Sequence, residues 1–260
     1  MIGHLVHINH IGHINQIGHL VHINHLGHIN LFMNIPRWKK WLSHLTPITL
    51  EETGSEQNPE LTVALSRGRV QLLAGEAIYS WDDLYQNFDI AFAELKLEDR
   101  NYENVLLLGL GLGSIPVLLE QKYGRDYRYT AVEWDEKVTD LALRYTLGRL
   151  KSPVDVITAD AEVFVAVCQE TFDIVIVDIF EDDLTPPQFE TLEFLEACDE
   201  LLRPGGLLLF NRLHGEAKDK VAADRFFGRT FQKAFPQAWA IDTHGNLILC
   251  YKKAAADLPV

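Results

Sequence analysis

Val105-Leu106-Leu107-Leu108-Gly109-Leu110-Gly111-Leu112-Gly113-Ser114 is a short apolar run that passes into three alternating glycines. A brief, unbroken, β-favouring stretch predicts a strand buried on both faces, and glycines at its carboxyl end let the backbone turn sharply into a helix. Twenty residues beyond Gly113, the stretch Tyr129-Thr130-Ala131-Val132 ends on Glu133. A carboxylate closing the neighbouring strand can accept hydrogen bonds from both hydroxyls of a ribose, so the pair predicts a nucleoside pocket in an α/β sheet.

The glycine spacing narrows the nucleoside. A dinucleotide site uses G-x-G-x-x-G, whose last glycine opens a helix that carries a pyrophosphate; counted from Gly109, that position holds Ser114. Gly109, Gly111 and Gly113 instead suit a ligand without phosphates, such as the adenosyl sulfonium of S-adenosylmethionine, and rank it above NAD or FAD. A tight turn that binds nothing is the alternative for the glycines taken alone.

Outward from this run, strand-like stretches recur at residues 105–109, 128–133, 154–158, 173–178 and 206–210, with helical segments between them. Such alternation predicts a parallel sheet whose ligands bind beyond the carboxyl ends of its strands. Residues 239–242 and 246–251, joined by Thr243-His244-Gly245, predict a terminal antiparallel hairpin. Upstream, residues 61–65 and 70–73 flank the hairpin turn Ser66-Arg67-Gly68-Arg69, residues 77–79 continue that small sheet, and residues 51–60 read as a polar loop. Residues 83–95 place Leu84, Phe88, Ala91, Phe92 and Leu95 on one helical face. The expected divisions are 1–32, a β unit with its leading helix at 33–98, and a nucleoside-binding domain at 99–260.

The chain has 260 residues, 47% of them hydrophobic, and a formal charge of −14. That balance disfavours nucleic acid, despite a local patch of Arg37, Lys39 and Lys40, and favours small cationic partners such as polyamines. Cys168, Cys198 and Cys250 are far apart in apolar stretches, as expected of reduced buried thiols in a cytoplasmic protein. No stretch predicts a membrane span. Residues 3–17, GHLVHINHIGHINQI, recur almost unchanged as residues 18–32, GHLVHINHLGHINLF. This histidine-rich repeat reads as a disordered segment or as translated repetitive DNA upstream of a start at Met33, against the alternative of a weak divalent-metal tail. No metal site is expected elsewhere.

The fourth strand feeds the richest loop, Asp178-Ile179-Phe180-Glu181-Asp182-Asp183 followed by Pro186-Pro187. Carboxylates at a pocket mouth can hold a cationic amine, and one can take its proton so that the neutral nitrogen attacks carbon next to a sulfonium. Asp178, at the strand end, is the candidate base, whereas Asp182 and Asp183 suit helix capping or solvation. Asp160 can accept the exocyclic amine of an adenine, with Ala161 supplying a backbone N–H, and can also cap the helix that follows. Tyr79, Trp81, Asp82 and Asp83 could line the open side of the pocket, packing being the default for the aromatics. Arg203-Pro204-Gly205-Gly206 reads as a structural turn, and His214 and His244 as surface residues.

Together these motifs resemble the class I S-adenosylmethionine-dependent methyltransferase fold, and within it spermidine synthases, over about residues 61–252. The resemblance implies a Rossmann-like, methyltransferase-type, mostly parallel sheet with a C-terminal antiparallel hairpin and a small N-terminal β unit. It implies that Glu133 holds the ribose, Asp160 the adenine, and that Asp178 is the base, with Tyr79 and Glu181 helping to hold the amine. Departures fall in the amine half: Leu112 stands where the family's glycine loop carries an acid, and Asp178-Ile179-Phe180-Glu181 replaces Asp-Ser-Ser-Asp. The leading expectation is an aminopropyltransferase that uses decarboxylated S-adenosylmethionine and a diamine. Methyl transfer from S-adenosylmethionine to another acceptor, or nucleoside or polyamine binding without turnover, are the alternatives. A homodimer is left open, the oligomeric state not being fixed by the sequence.

Overall fold

A computed structural model describes residues 19–23, 33–75, 77–97, 100–181 and 184–255. Strand β1 (His19–Ile23) and helix α1 (Arg37–Leu42) precede a meander of β2 (Ile48–Thr53), β3 (Leu61–Ser66), β4 (Arg69–Ala74) and β5 (Ala77–Ser80). Helix α2 (Gln86–Leu95) leads into β6 (Asn104–Leu108), α3 (Ser114–Gln121), β7 (Arg128–Glu133), α4 (Glu136–Tyr145) and β8 (Val154–Thr158). Then follow α5 (Ala161–Val167), β9 (Phe172–Val177), α6 (Leu192–Glu200), β10 (Leu202–Leu213), α7 (Ala217–Phe226), β11 (Trp239–Asp242) and β12 (Asn246–Lys252).

The larger sheet has the order β1-β8-β7-β6-β9-β10-β12-β11. Strands β6 to β10 pair in parallel, β12 runs antiparallel to β10, and β11 antiparallel to β12. The expected mixed sheet is therefore present, with the last strand inserted inside its own hairpin partner. Alternation of side chains explains why the central strands are apolar at every position. Val105 and Leu107 enter one core with α2, α3, α4 and the meander, while Leu106 and Leu108 enter a second core with α5, α6 and α7. The meander shares the first core with the large sheet, so the 98/99 division separates two chain segments across one continuous packing layer.

Several elements differ from the sequence reading. Part of the expected polar loop at 51–60 is strand β2, whose Glu51 receives a bidentate pair from Arg144 of α4 at 2.7 and 2.8 Å. The expected helix over 83–95 is a single 3-10 turn, Asp82–Leu84, followed by α2. The Arg203-Pro204-Gly205-Gly206 turn lies inside β10, where the register with β9 shifts between Leu202 and Leu207. The β3–β4 hairpin is as expected, with Arg67 at φ 52° and Gly68 at φ 75°, the left-handed pair that tight hairpins require.

Within the histidine-rich repeat, His19–Ile23 pairs antiparallel with β8 and so forms one edge of the larger sheet; the rest of residues 1–32 lies outside the described residues. Cys168 is half-buried, and Cys198 and Cys250 are buried, all three as free thiols. No described helix is long and apolar enough to cross a membrane, and no group of three or more His, Cys, Asp or Glu among the described residues is arranged to hold a metal.

Candidate active site

Gly109 lies just beyond β6 at φ +90°, where a Cβ would sit 2.2 Å from the Asp178 carbonyl oxygen. Only glycine allows the loop after β6 to lie flat against the loop after β9, and this approach brings the two candidate halves of the pocket together. The Asp178 N–H donates to the Leu108 carbonyl at 2.8 Å, and the Gly109 N–H to the Val132 carbonyl at 2.9 Å, so the sheet ladder continues to the base of the cavity. Gly111 passes beneath Tyr79 and Ser80, with its Cβ position 3.3 Å from the Tyr79 carbonyl. Gly113 begins α3 under Leu147 and does not line the cavity.

The cavity at these strand ends measures about 740 Å³. Glu133, Asp160, Ala161, Asp178, Glu181 and Tyr79 all line it, together with Gly109 and Gly111. No lysine or arginine is among the described residues that line it. Its volume suits a nucleoside-sized ligand with room for a second small molecule.

Glu133 Oε2 accepts from the N–H groups of Leu110 and Gly111 at 3.1 and 3.2 Å, and Oε1 from Asp135 at 3.1 Å. The acid thus shapes the glycine loop, and burial raises its pKa against these donors. Asp160 caps α5 by accepting from the Val163 N–H at 3.0 Å through one oxygen, Oδ1. The capping and ligand roles expected of Asp160 are thus geometrically compatible.

Asp178 is clamped on both oxygens. The Tyr85 hydroxyl donates to Oδ2 at 2.9 Å, and Asn211 Nδ2 to Oδ1 at 2.8 Å. Burial pushes its carboxyl up to about 6, against the pull of Asn211 and Tyr85, and the Glu133 charge adds to the rise. Tyr85 itself is pushed well above its ordinary value by burial and by the Asp178 charge, so it remains a donor.

Tyr85 was not anticipated as a site residue. Tyr79 lines the cavity, but the tyrosine bonded to Asp178 is Tyr85, placed there by the 3-10 turn before α2. That turn is held by buried Asp82, which pairs with Arg149 at 2.5 Å, and by Asp83, which pairs with Arg69. These acids therefore anchor the wall instead of lining the cavity that the sequence reading offered them, and Trp81 also stays out of the cavity, in line with the packing expected of it by default. His244 is exposed in the β11–β12 turn, as expected, and there also lines the cavity. His214 has a largely buried side chain near Asp224 and Asp242.

Glu181 is exposed at the rim, bridged to Leu184 by paired backbone bonds of 2.9 and 3.0 Å; Asp182 and Asp183 lie outside the described residues. Trp134, half exposed beside Glu133, adds an aromatic wall that the sequence reading did not assign. Leu112, 1% exposed, packs into the first core and does not line the cavity.

The family model of the spermine/spermidine synthase domain matches residues 83–254. A probable polyamine aminopropyl transferase of Bifidobacterium longum is 35% identical over 126 residues, which are 48% of this chain and 27% of that protein. The chain thus spans about a quarter of the length of that curated relative. Among solved structures, the spermidine synthase of Thermotoga maritima aligns with TM-score 0.62 at 17% identity, over 79% of this chain and 73% of that one. A spermidine synthase in complex with the transition state analogue AdoDATO aligns with TM-score 0.63 at 15% identity, over 79% and 74% of the two chains.

Proposed function

Since the chain belongs to the spermine/spermidine synthase domain family, we propose that it transfers an aminopropyl group from decarboxylated S-adenosylmethionine to a small amine. The observation that carries this reading is the cavity wall: four carboxylates, Glu133, Asp160, Asp178 and Glu181, with no lysine or arginine among the described lining residues. Such a wall favours cations in both positions, a sulfonium donor and an ammonium acceptor. It disfavours the extra carboxylate of ordinary S-adenosylmethionine, which would enter an acidic cavity with no lysine or arginine among the described lining residues to pair with. The analogue bound by the structural neighbour supports a donor of this class.

In the proposed reaction the donor's ribose lies on Glu133, its adenine by Asp160 and Ala161, and Trp134 supplies a face for stacking. The acceptor arrives as an ammonium ion. Asp178 takes one proton from its nitrogen, and the freed lone pair attacks the methylene carbon next to the sulfonium. The new C–N bond forms as the C–S bond breaks, the sulfur keeps the electron pair, and methylthioadenosine leaves as a neutral molecule. The product nitrogen is a secondary ammonium, and Asp178 returns its proton to water. Alignment of nitrogen, carbon and sulfur in the cavity supplies much of the acceleration.

Methyl transfer from S-adenosylmethionine is the second reading, favoured by Leu112, whose burial in the core leaves the glycine loop without an acid for an aminopropyl ammonium. Mass spectrometry separates the two. Incubation with both donors and a panel of mono- and diamines is expected to give methylthioadenosine and an aminopropylated amine; S-adenosylhomocysteine with a methylated acceptor would replace this reading with the second.

A further inference from the structure

Asn211 is fully buried on β10, and its side-chain amide is engaged at both ends. Its Nδ2 donates to Asp178 Oδ1 at 2.8 Å, and its Oδ1 accepts from Asn246 Nδ2 at 3.0 Å. Asn246 opens β12, one strand over, and its carbonyl accepts from the Thr243 N–H at 2.9 Å and the Thr243 hydroxyl at 3.0 Å. Those bonds close the turn 243–246, all four residues of which line the cavity. A chain of polar groups therefore runs from the cavity wall, across two strands, to the candidate base.

The direction of that chain is fixed by elementary electrostatics. Rotating the Asn211 amide by half a turn would set its carbonyl oxygen against the Asp178 carboxylate and its NH₂ against the NH₂ of Asn246, two repulsions in a water-excluded interior. Building on the transfer reading above, we propose that Asn211 and Asn246 are positioning residues, an amide relay that fixes the plane of the Asp178 carboxylate and keeps it ionised to accept the acceptor's proton.

The surroundings leave this task to neutral donors. Among the described residues, Glu133 from the end of β7, Asp160 before α5, Glu181 after β9, Tyr79 of β5, Tyr85 before α2 and His244 in the β11–β12 turn are the titratable groups that share the cavity with Asp178. Three of them are acids, which oppose its ionisation, and no lysine or arginine among the described lining residues offsets them. Burial raises the Asp178 carboxyl to about 6, and the bond from Asn211 is the foremost opposing influence, ahead of that from Tyr85. The clamp also leaves each carboxylate oxygen one direction in which to meet a proton, since Tyr85 and Asn211 occupy opposite oxygens.

The test is the titration of Asp178 itself in the full chain, followed by carbon NMR of protein labelled with carboxyl-¹³C aspartate, without ligand. The resonance is assigned by its loss in Asp178→Asn. In Asn211→Leu the midpoint is expected to move from about 6 to about 7. Asn246→Leu is expected to move it in the same direction by less, and the midpoint of the acidic limb of kcat/KM is expected to move with it in both variants. An unchanged midpoint in a folded Asn211→Leu protein would overturn the relay. If that variant does not fold, Asn246→Leu carries the test, and an unchanged midpoint there overturns it equally. A raised midpoint in variants of a parent protein that transfers no group from either sulfonium donor would support the relay and overturn the transfer reading.

Discussion

Asp178 is costly to the fold and, in the proposed reaction, useful to the chemistry. Its carboxyl is raised from an ordinary value near 3.8 to about 6, chiefly by burial. Between those two values the folded chain binds more protons at this site than the unfolded chain does, so the site's contribution makes stability fall as pH rises, and the cost persists at neutral pH. Asp178→Asn removes the charge and keeps the bonds: its carbonyl can accept from Asn211 and its amide can donate to the Tyr85 oxygen. The variant is expected to be more stable than the parent at pH 7 by on the order of 2 kcal/mol, with the gain vanishing towards pH 4, as urea denaturation at several pH values would read. Its transfer rate is expected to fall about 100-fold or more while nucleoside affinity changes little, since proton removal is lost and the adenosyl half is untouched. A variant equally active at pH 7 would remove Asp178 from the role of base. In the parent, kcat/KM should rise with pH through about 6, as the carboxyl ionises and becomes able to take a proton.

Elements bring these residues together through loops that tolerate no added atom. A Cβ on Gly109 would lie 2.2 Å from the Asp178 carbonyl oxygen, whereas one on Gly124, also at positive φ, meets nothing within 4 Å. Gly109→Ala is therefore expected to cost about 3 kcal/mol or more and to weaken nucleoside binding, against about 1 kcal/mol and unchanged binding for Gly124→Ala. Similar losses in both would show that the loop after β9 yields easily. The same local logic explains what could be read in advance. The Val105–Gly113 run, Glu133, Asp160 and Asp178 each end or follow an apolar strand, and that pattern is written in consecutive residues. Tyr85, Asn211 and Asn246 carry no such signal. Tyr85 depends on ion pairs from Asp82 to Arg149 and from Asp83 to Arg69; Asn211 meets Asp178 through the pairing of β10 with β9, and Asn246 meets Asn211 through the pairing of β12 with β10. Strand β2 was illegible for a related reason: Ile48–Thr53 is rich in polar residues, and Glu51 is satisfied by Arg144, 93 positions away. At the N-terminus, β1 covers the outer edge of β8. Deleting residues 1–32 is expected to leave nucleoside affinity within about twofold and to promote self-association through the bared β8 edge, as sedimentation and titration calorimetry would read. A large loss of affinity would give the repeat a role in the site.

Across the whole molecule, charge and cavity point the same way. The chain carries a formal −14, and the cavity gathers Glu133, Asp160, Asp178 and Glu181 where strands β6 to β9 end. A concave site lined by one sign of charge concentrates counter-charged molecules before any contact forms, and dissolved salt weakens that pull as the screening length drops from about 20 Å at low salt to about 6 Å near 0.3 M. In the proposed reaction, ribose bonds to buried Glu133 would be sheltered from this screening, whereas the approach of an acceptor past exposed Glu181 would not. Raising the salt from about 20 to about 300 mM should therefore lower kcat/KM for a dicationic acceptor by roughly 3- to 10-fold, mostly through KM, and lower it less for a monoamine of similar length. Glu181→Gln should reproduce part of the loss at low salt and flatten the remaining salt dependence. Equal salt responses for the mono- and dicationic acceptors would mean that the second positive charge is not felt at the rim, and would confine recognition to the single amine that faces Asp178.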